Sequence, residues 1–182
     1  MSTALLVMDM QIATVEKWGS DELLSSISQA IDAARQASVQ VIFVRLGYRP
    51  GHPEIAASNK IFRALKEAGR NVVTDPSNEI HPAVAPREDE VVVFKRRVSA
   101  FSGSDLAQVL RAGKVDELVL TGIATSGVVL GTLSEAADLD YKLVVLSDGC
   151  VDMDPELHLA LTERLYPRLA RVMKAEEWIG EL

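Results

Sequence analysis

Six short runs of almost pure Val, Leu and Ile, separated by stretches of helical period, constrain this chain more than any other feature. They are Ala4–Met8, Val39–Arg45, Val91–Phe94, Glu117–Thr121, Lys142–Leu146 and Ala170–Met173. Nearly continuous apolar strands of this kind are buried on both faces, and their alternation with helices is the pattern of βαβ units around a parallel sheet. Helices are predicted at Asp21–Gln36, Asn59–Ala68, Ser104–Ala112, Ser126–Asp138 and Pro155–Arg168. The firmest boundary is Asp154-Pro155, where the aspartate can cap free N–H groups and the proline suits the first helical position. Gly69–Glu90 shows neither period and carries Pro76, Pro82 and Pro86, so it reads as a long loop, either plain surface or a functional or oligomer contact. The expectation is one domain over residues 1–182, a three-layer α/β/α sandwich with a mostly parallel sheet of about six strands.

Charge and cysteine content remove several classes of function. With 19 basic against 26 acidic residues the net charge is −7, and the longest basic stretch, Lys95-Arg96-Arg97, is flanked by apolar residues. That balance argues against a nucleic-acid surface. A single cysteine, Cys150, allows no internal disulfide and no thiolate metal cluster. No long apolar segment and no basic leader are present, which predicts a cytoplasmic protein without a membrane span. His52, His81 and His158 are scattered without a metal-ligand spacing, so no metal or other cofactor is expected.

Ligands of open parallel sheets bind beyond the carboxyl ends of the strands, so the polar residues there carry the chemistry. Asp9 follows Leu5–Met8, Lys95 follows Val91–Phe94, and a small-residue turn, Gly122-Ile123-Ala124-Thr125-Ser126-Gly127, follows Leu118–Leu120. A carboxylate and an ammonium in an apolar cleft shift each other's protonation and can exchange a proton with a substrate; a structural ion pair at a sheet edge is the equal alternative. The turn lets backbone approach a ligand and offers N–H groups of the next helix to an oxyanion. After the second strand, Arg45 or Arg49 could hold a substrate carboxylate and Tyr48 could wall the pocket, with surface ion pairing as the alternative. Gln11 and Phe101, together with Trp18 and Met10, are further candidates for the cleft lining, against core packing.

In this order, Asp9 within Val7-Met8-Asp9-Met10-Gln11, Lys95 within Lys95-Arg96-Arg97-Val98-Ser99-Ala100-Phe101, and Gly122-Ile123-Ala124-Thr125 resemble the isochorismatase-like (cysteine hydrolase) superfamily from Ala4 to Trp178. The resemblance implies the α/β fold and an Asp–Lys–Cys triad that hydrolyses amides of small molecules. It also implies a cis peptide at Ile123–Ala124, backbone stabilisation from Ile123, Ala124 and Thr125, and a homo-oligomer. It places Asp9 at the aspartate and Lys95 at the lysine, and Val128 where the cysteine belongs. A valine offers no lone pair for covalent catalysis. The resemblance then points to the cysteine-free branch of the family, which cleaves a vinyl ether by proton donation from the aspartate and attack by water. The function expected is hydrolysis of a small, carboxylate-bearing molecule by Asp9 and Lys95. The alternative is a catalytically inactive member that binds a small molecule or protein partner through the same cleft. A shifted nucleophile at Ser126 or Thr125 is a minor third reading, because no partner base is visible in the sequence; Cys150 reads as a buried structural thiol, and His158 as a surface residue of its helix.

Overall fold

The computed structural model describes residues 2–182. Six strands form one sheet in which every pairing is parallel: β1 (Thr3–Met8), β2 (Gln40–Leu46), β3 (Val91–Lys95), β4 (Glu117–Ile123), β5 (Lys142–Val151) and β6 (Arg171–Met173). Their order is β3-β2-β1-β4-β5-β6, so the chain works outward from β1 on one side and then restarts beside it with β4. The reversal between β1 and β4 opens a crevice at their carboxyl ends.

Strand alternation distributes each run between two apolar layers, as its composition requires. On β1, Ala4, Leu6 and Met8 enter the layer that holds Leu106, Leu110, Leu133, Leu161 and Tyr166. Leu5 and Val7 enter the opposite layer with Leu23, Ile27, Ile31 and Trp178. Helix α2 (Asp21–Gln36) covers the second layer, starts where the Ser20 side chain accepts from the Leu23 amide, and buries Leu23, Ile27, Ala30, Ile31 and Ala34 at helical spacing. Helices α4 (Leu106–Ala112) and α5 (Leu130–Asp138) cover the first.

Several elements depart from the sequence reading. Only Arg63–Glu67 of the 59–68 stretch is α-helix, α3; upstream, the Asn59 side chain accepts from the Ile61 and Phe62 amides and closes a turn instead. The helix expected from Ser126 begins with a π turn, Thr125–Val129, in which Gly127 has φ −102° and ψ −109°. The helix from Pro155 is α only to Ala160, as α6, then passes through a π turn, Leu161–Leu165, and a 3-10 turn at Tyr166–Arg168 where Pro167 has no amide to continue it. Two short helices, α1 (Ile12–Trp18) and α7 (Ala175–Ile179), gave too few periodic residues to be seen in the sequence. Strand β5 runs five residues beyond Leu146, through an irregular register against β4 between Leu120 and Gly122.

The loop 69–90 contains two 3-10 turns, Pro76–Asn78 and Pro82–Val84, and folds back on the end of β1. The Ile12 amide donates to the Glu79 carbonyl and the His81 amide to the Met10 carbonyl, at 2.9 and 2.8 Å. Among the described residues no helix is long and apolar enough to cross a membrane.

Candidate active site

Asp9 is the first residue past β1, and with φ 54° it turns the chain out of the sheet while its amide donates to the Val44 carbonyl at 2.8 Å. Lys95 ends β3, two strands away, and its side chain spans the end of β2. The Lys95 Nζ lies 2.9 Å from Asp9 Oδ2 and also donates to the Arg97 carbonyl at 3.0 Å. The lysine is 2% exposed and the aspartate side chain 13%. Asp9 Oδ1, the other carboxyl oxygen, is buried and has no hydrogen-bond partner. Burial pushes the Asp9 carboxyl above the usual carboxylate range, and the Lys95 ammonium only partly offsets that rise.

Beside β1, the last-but-one residue of β4 is Gly122, whose φ is +139°. A Cβ there would lie 2.1 Å from the Met8 carbonyl oxygen, so only glycine lets the two central strands approach this closely. The next peptide, Ile123–Ala124, is cis, as the resemblance implied. Because Met8 pairs with Gly122, Asp9 and Ile123 are the next residues of two adjacent strands, Asp9 turning out of the sheet while Ile123 stays paired with Val151. The turn is then gripped from outside. The Asp152 carboxylate accepts from the Ser126 amide at 2.6 Å, the Tyr166 hydroxyl donates to the Thr125 carbonyl at 2.6 Å, and Thr125 Oγ1 lies 2.8 Å from His158 Nδ1. Thr125 is fully buried, and Val128 is 3% exposed within the same apolar layer as Met8, Ala100 and Phe101.

The structure thus pairs Asp9 with Lys95 and starts the 123–128 turn beside Asp9 at the carboxyl ends of the strands, while most of the remaining sequence candidates are held by other partners. Gln11 is buried as a clamp: its amide accepts from the Leu46 N–H at 2.9 Å, donates to the Leu46 carbonyl at 3.0 Å and holds Asn78. Arg45 pairs with Glu79 at 2.6 Å through its terminal nitrogens and lies over the Phe94 ring, leaving its buried Nε without a partner. Arg49 is 68% exposed and pairs with Glu54 at 2.8 Å. Tyr48 is a core residue packed by Phe62 and His52, with its hydroxyl on the Arg96 carbonyl and its phenol pushed by burial up to about 12. Phe101 and Met10 are buried in the two apolar layers. Trp18, by contrast, does line a cavity of about 320 Å³ with Gln11, Thr14, Arg70 and Asn78. Cys150 is buried and its thiol is raised to about 12, chiefly by desolvation with a smaller push from Asp148, which disfavours the reactive thiolate.

The sequence reading missed His158 as a partner of Thr125, since 33 residues separate them. Asp152 and Tyr166 were missed for the same reason. The only local signal was the Asp154-Pro155 cap, which fixes where α6 begins and hence which way His158 faces. Among the described residues no cluster of His, Cys, Asp and Glu could hold a metal ion.

The description of the isochorismatase domain matches residues 3–177, from β1 into α7. The chain belongs to the isochorismatase family. Its family relatives include the ureidoacrylate amidohydrolase RutB of Stutzerimonas stutzeri, 33% identical over 177 residues that cover 85% of this chain and 71% of that protein. The isochorismatase family protein YecD of Escherichia coli O157:H7 is 31% identical over 190 residues, covering 100% and 96%. Among solved structures, a cysteine hydrolase from Pseudomonas syringae pv. phaseolicola superposes with a TM-score of 0.89 at 26% identity, covering 98% and 91%. Hydrolysis of small molecules is therefore the activity of this chain's family.

Proposed function

We propose that this chain is an isochorismatase-family hydrolase that cleaves an acid-labile bond of a small, carboxylate-bearing molecule using Asp9 and Lys95, without a cysteine nucleophile. The observation that carries the reading is the Asp9 carboxyl: one oxygen is held by Lys95, the other is buried and unpartnered, and burial favours its protonated form. A carboxyl shifted toward its protonated form, with one free oxygen, suits the role of a general acid. For an enol ether, Asp9 delivers its proton to the terminal alkene carbon, which leaves an oxocarbenium ion. Water adds to that cation, and the hemiketal collapses to a ketone and an alcohol while the proton lost from water returns to Asp9. The Lys95 ammonium stabilises the carboxylate that exists between the two transfers.

Val128 supports the same choice over amide hydrolysis. It stands six residues after Gly122, where the family resemblance expects the thiol, and its side chain packs into the core. Cys150 cannot substitute, being buried and protonated. The substrate carboxylate is supported by the acrylate in the name of the RutB relatives rather than by Arg45 or Arg49, whose guanidinium groups are already paired.

The test is hydrolysis of a panel of enolpyruvyl ethers and amides by the wild type and Asp9→Asn. Enol-ether cleavage lost in Asp9→Asn supports the reading. Amide cleavage with a covalent adduct by mass spectrometry would sink it. No turnover, with ligand affinity retained in Asp9→Asn, would establish instead a binding member of the family.

A further inference from the structure

We propose that His158 is a positioning residue that holds the turn at the end of β4, through Thr125, in the place that chemistry at Asp9 requires. The inference rests on the acid–base reading above, since only that reading gives the turn's position a chemical consequence.

The turn needs an external hold. Thr125–Val129 is a π turn with a non-helical Gly127, so regular helical hydrogen bonding does not fix it, and a side chain at Gly127 would meet only Ala124. Three side chains from one segment, 152–166, supply the hold: Asp152 on the Ser126 amide, His158 on the Thr125 hydroxyl and Tyr166 on the Thr125 carbonyl. Asp152 and Tyr166 are 8% and 0% exposed, so the core locks both. His158 differs. It sits on α6 between the exposed Leu157 and Leu159 and lines an open cavity of about 300 Å³ with Ser147, Asp148, Thr162 and Glu163. It is the one arm of the clamp that meets solvent, so it can be removed without emptying the core.

The position it sets faces the acid. Asp9 and Ile123 follow the paired Met8 and Gly122 on adjacent strands, and a shift of Thr125 is transmitted through two peptide units to the groups beside the Asp9 carboxyl. Displacements of about 1 Å at a reacting site are enough to cost a large rate factor.

His158→Ala, His158→Asn and wild type would be compared by steady-state kinetics and by amide hydrogen exchange. An asparagine keeps a polar atom near the Nδ1 position and can donate or accept, so it replaces the bond whichever tautomer the histidine adopts. His158→Ala is expected to lower kcat roughly tenfold with KM changed less than about twofold. Exchange at 126–128 should accelerate roughly tenfold, while β1 amides stay as in wild type. His158→Asn should restore both. Unchanged exchange in the turn would overturn the clamp, and faster exchange with unchanged kcat would overturn its role in the chemistry. Absence of turnover in the wild type is a failure of the acid–base reading alone; the exchange data then still decide whether His158 holds the turn.

Discussion

The two rims of the crevice are built from different materials. On the β1–β3 side, Asp9 and Lys95 face each other at 2.9 Å, and the neighbouring loops add Glu54, Arg49, Arg96 and Arg97 in ion pairs and backbone contacts. On the β4–β5 side the turn carries Val128 and Val129 into the apolar layer that also holds Cys150 of β5, and its neutral or backbone groups are gripped by Asp152, His158 and Tyr166. The first rim holds buried charge; the second holds shape. A fold can place proton chemistry on one edge of a switch point only if the opposite edge is stiff enough to present the substrate to it.

The largest effect should come from breaking the charged rim. Asp9→Asn is expected to remove turnover to below about a thousandth of wild type, measured on whichever enol ether the enzyme accepts, because the proposed reaction takes its proton from the Asp9 carboxyl. Residual activity within tenfold would show that the comparison is wrong and that the shaped rim does the chemistry.

The ion pair should also matter to stability. Removing one partner of a buried pair leaves a charge or a polar group without compensation, so Lys95→Met is expected to cost about 3 kcal/mol by urea unfolding, less if Asp9 becomes protonated in response. On the shaped rim, Gly122→Ala should cost a similar amount, about 3 kcal/mol, by forcing β1 and β4 apart where a Cβ meets the Met8 carbonyl. If either substitution is nearly silent in denaturant melts, that rim is looser than its geometry implies.

The two rims should respond to pH in opposite senses. Asp9 has a folded pKa above 3.8, so the folded state binds the extra proton and stability declines as pH rises from 3.8 through that raised value. Activity that depends on the protonated acid falls across the same upper limb. For Asp152, burial acts to raise the pKa, but the donors at Ser126, Asp154 and Met153 outweigh it and set it below 3.8. Its stabilisation is complete above 3.8 and is lost as pH falls through the lowered value. Unfolding curves of Asp9→Asn and Asp152→Asn against pH should therefore flatten opposite limbs of the profile. The smallest effect concerns Cys150: with its thiol raised to about 12, it should react with a thiol reagent only after denaturation.

The degree to which these rims were legible in the sequence follows the range of the interactions. Asp9 and Lys95 could be placed because each ends an apolar run, and strand ends are where a parallel sheet binds. The six strands and α2 were readable because burial on two faces or one is a local pattern of residue types. For Arg45, Tyr48 and Arg49, at and after the end of β2, the sequence left substrate binding and ion pairing both open, because the groups they meet, Glu79, the Arg96 carbonyl and Glu54, belong to loops whose paths the sequence does not show. The 59–68 stretch had helical composition and was taken over at its start by a side chain of its own, Asn59.

Composition and hydrophobic period alone determined the α/β class and most strands, and with motif order they indicated the family and its acidic and basic residues. These depend on each residue's own preference for water or for the interior. Only the tertiary structure decided that Asp9 keeps an unpartnered oxygen, that Val128 is turned into the core, and that His158 reaches Thr125 across 33 residues. Each of those facts is a distance between atoms far apart in the chain, fixed when the sheet closes and its two layers pack, and no single residue's chemistry contains it.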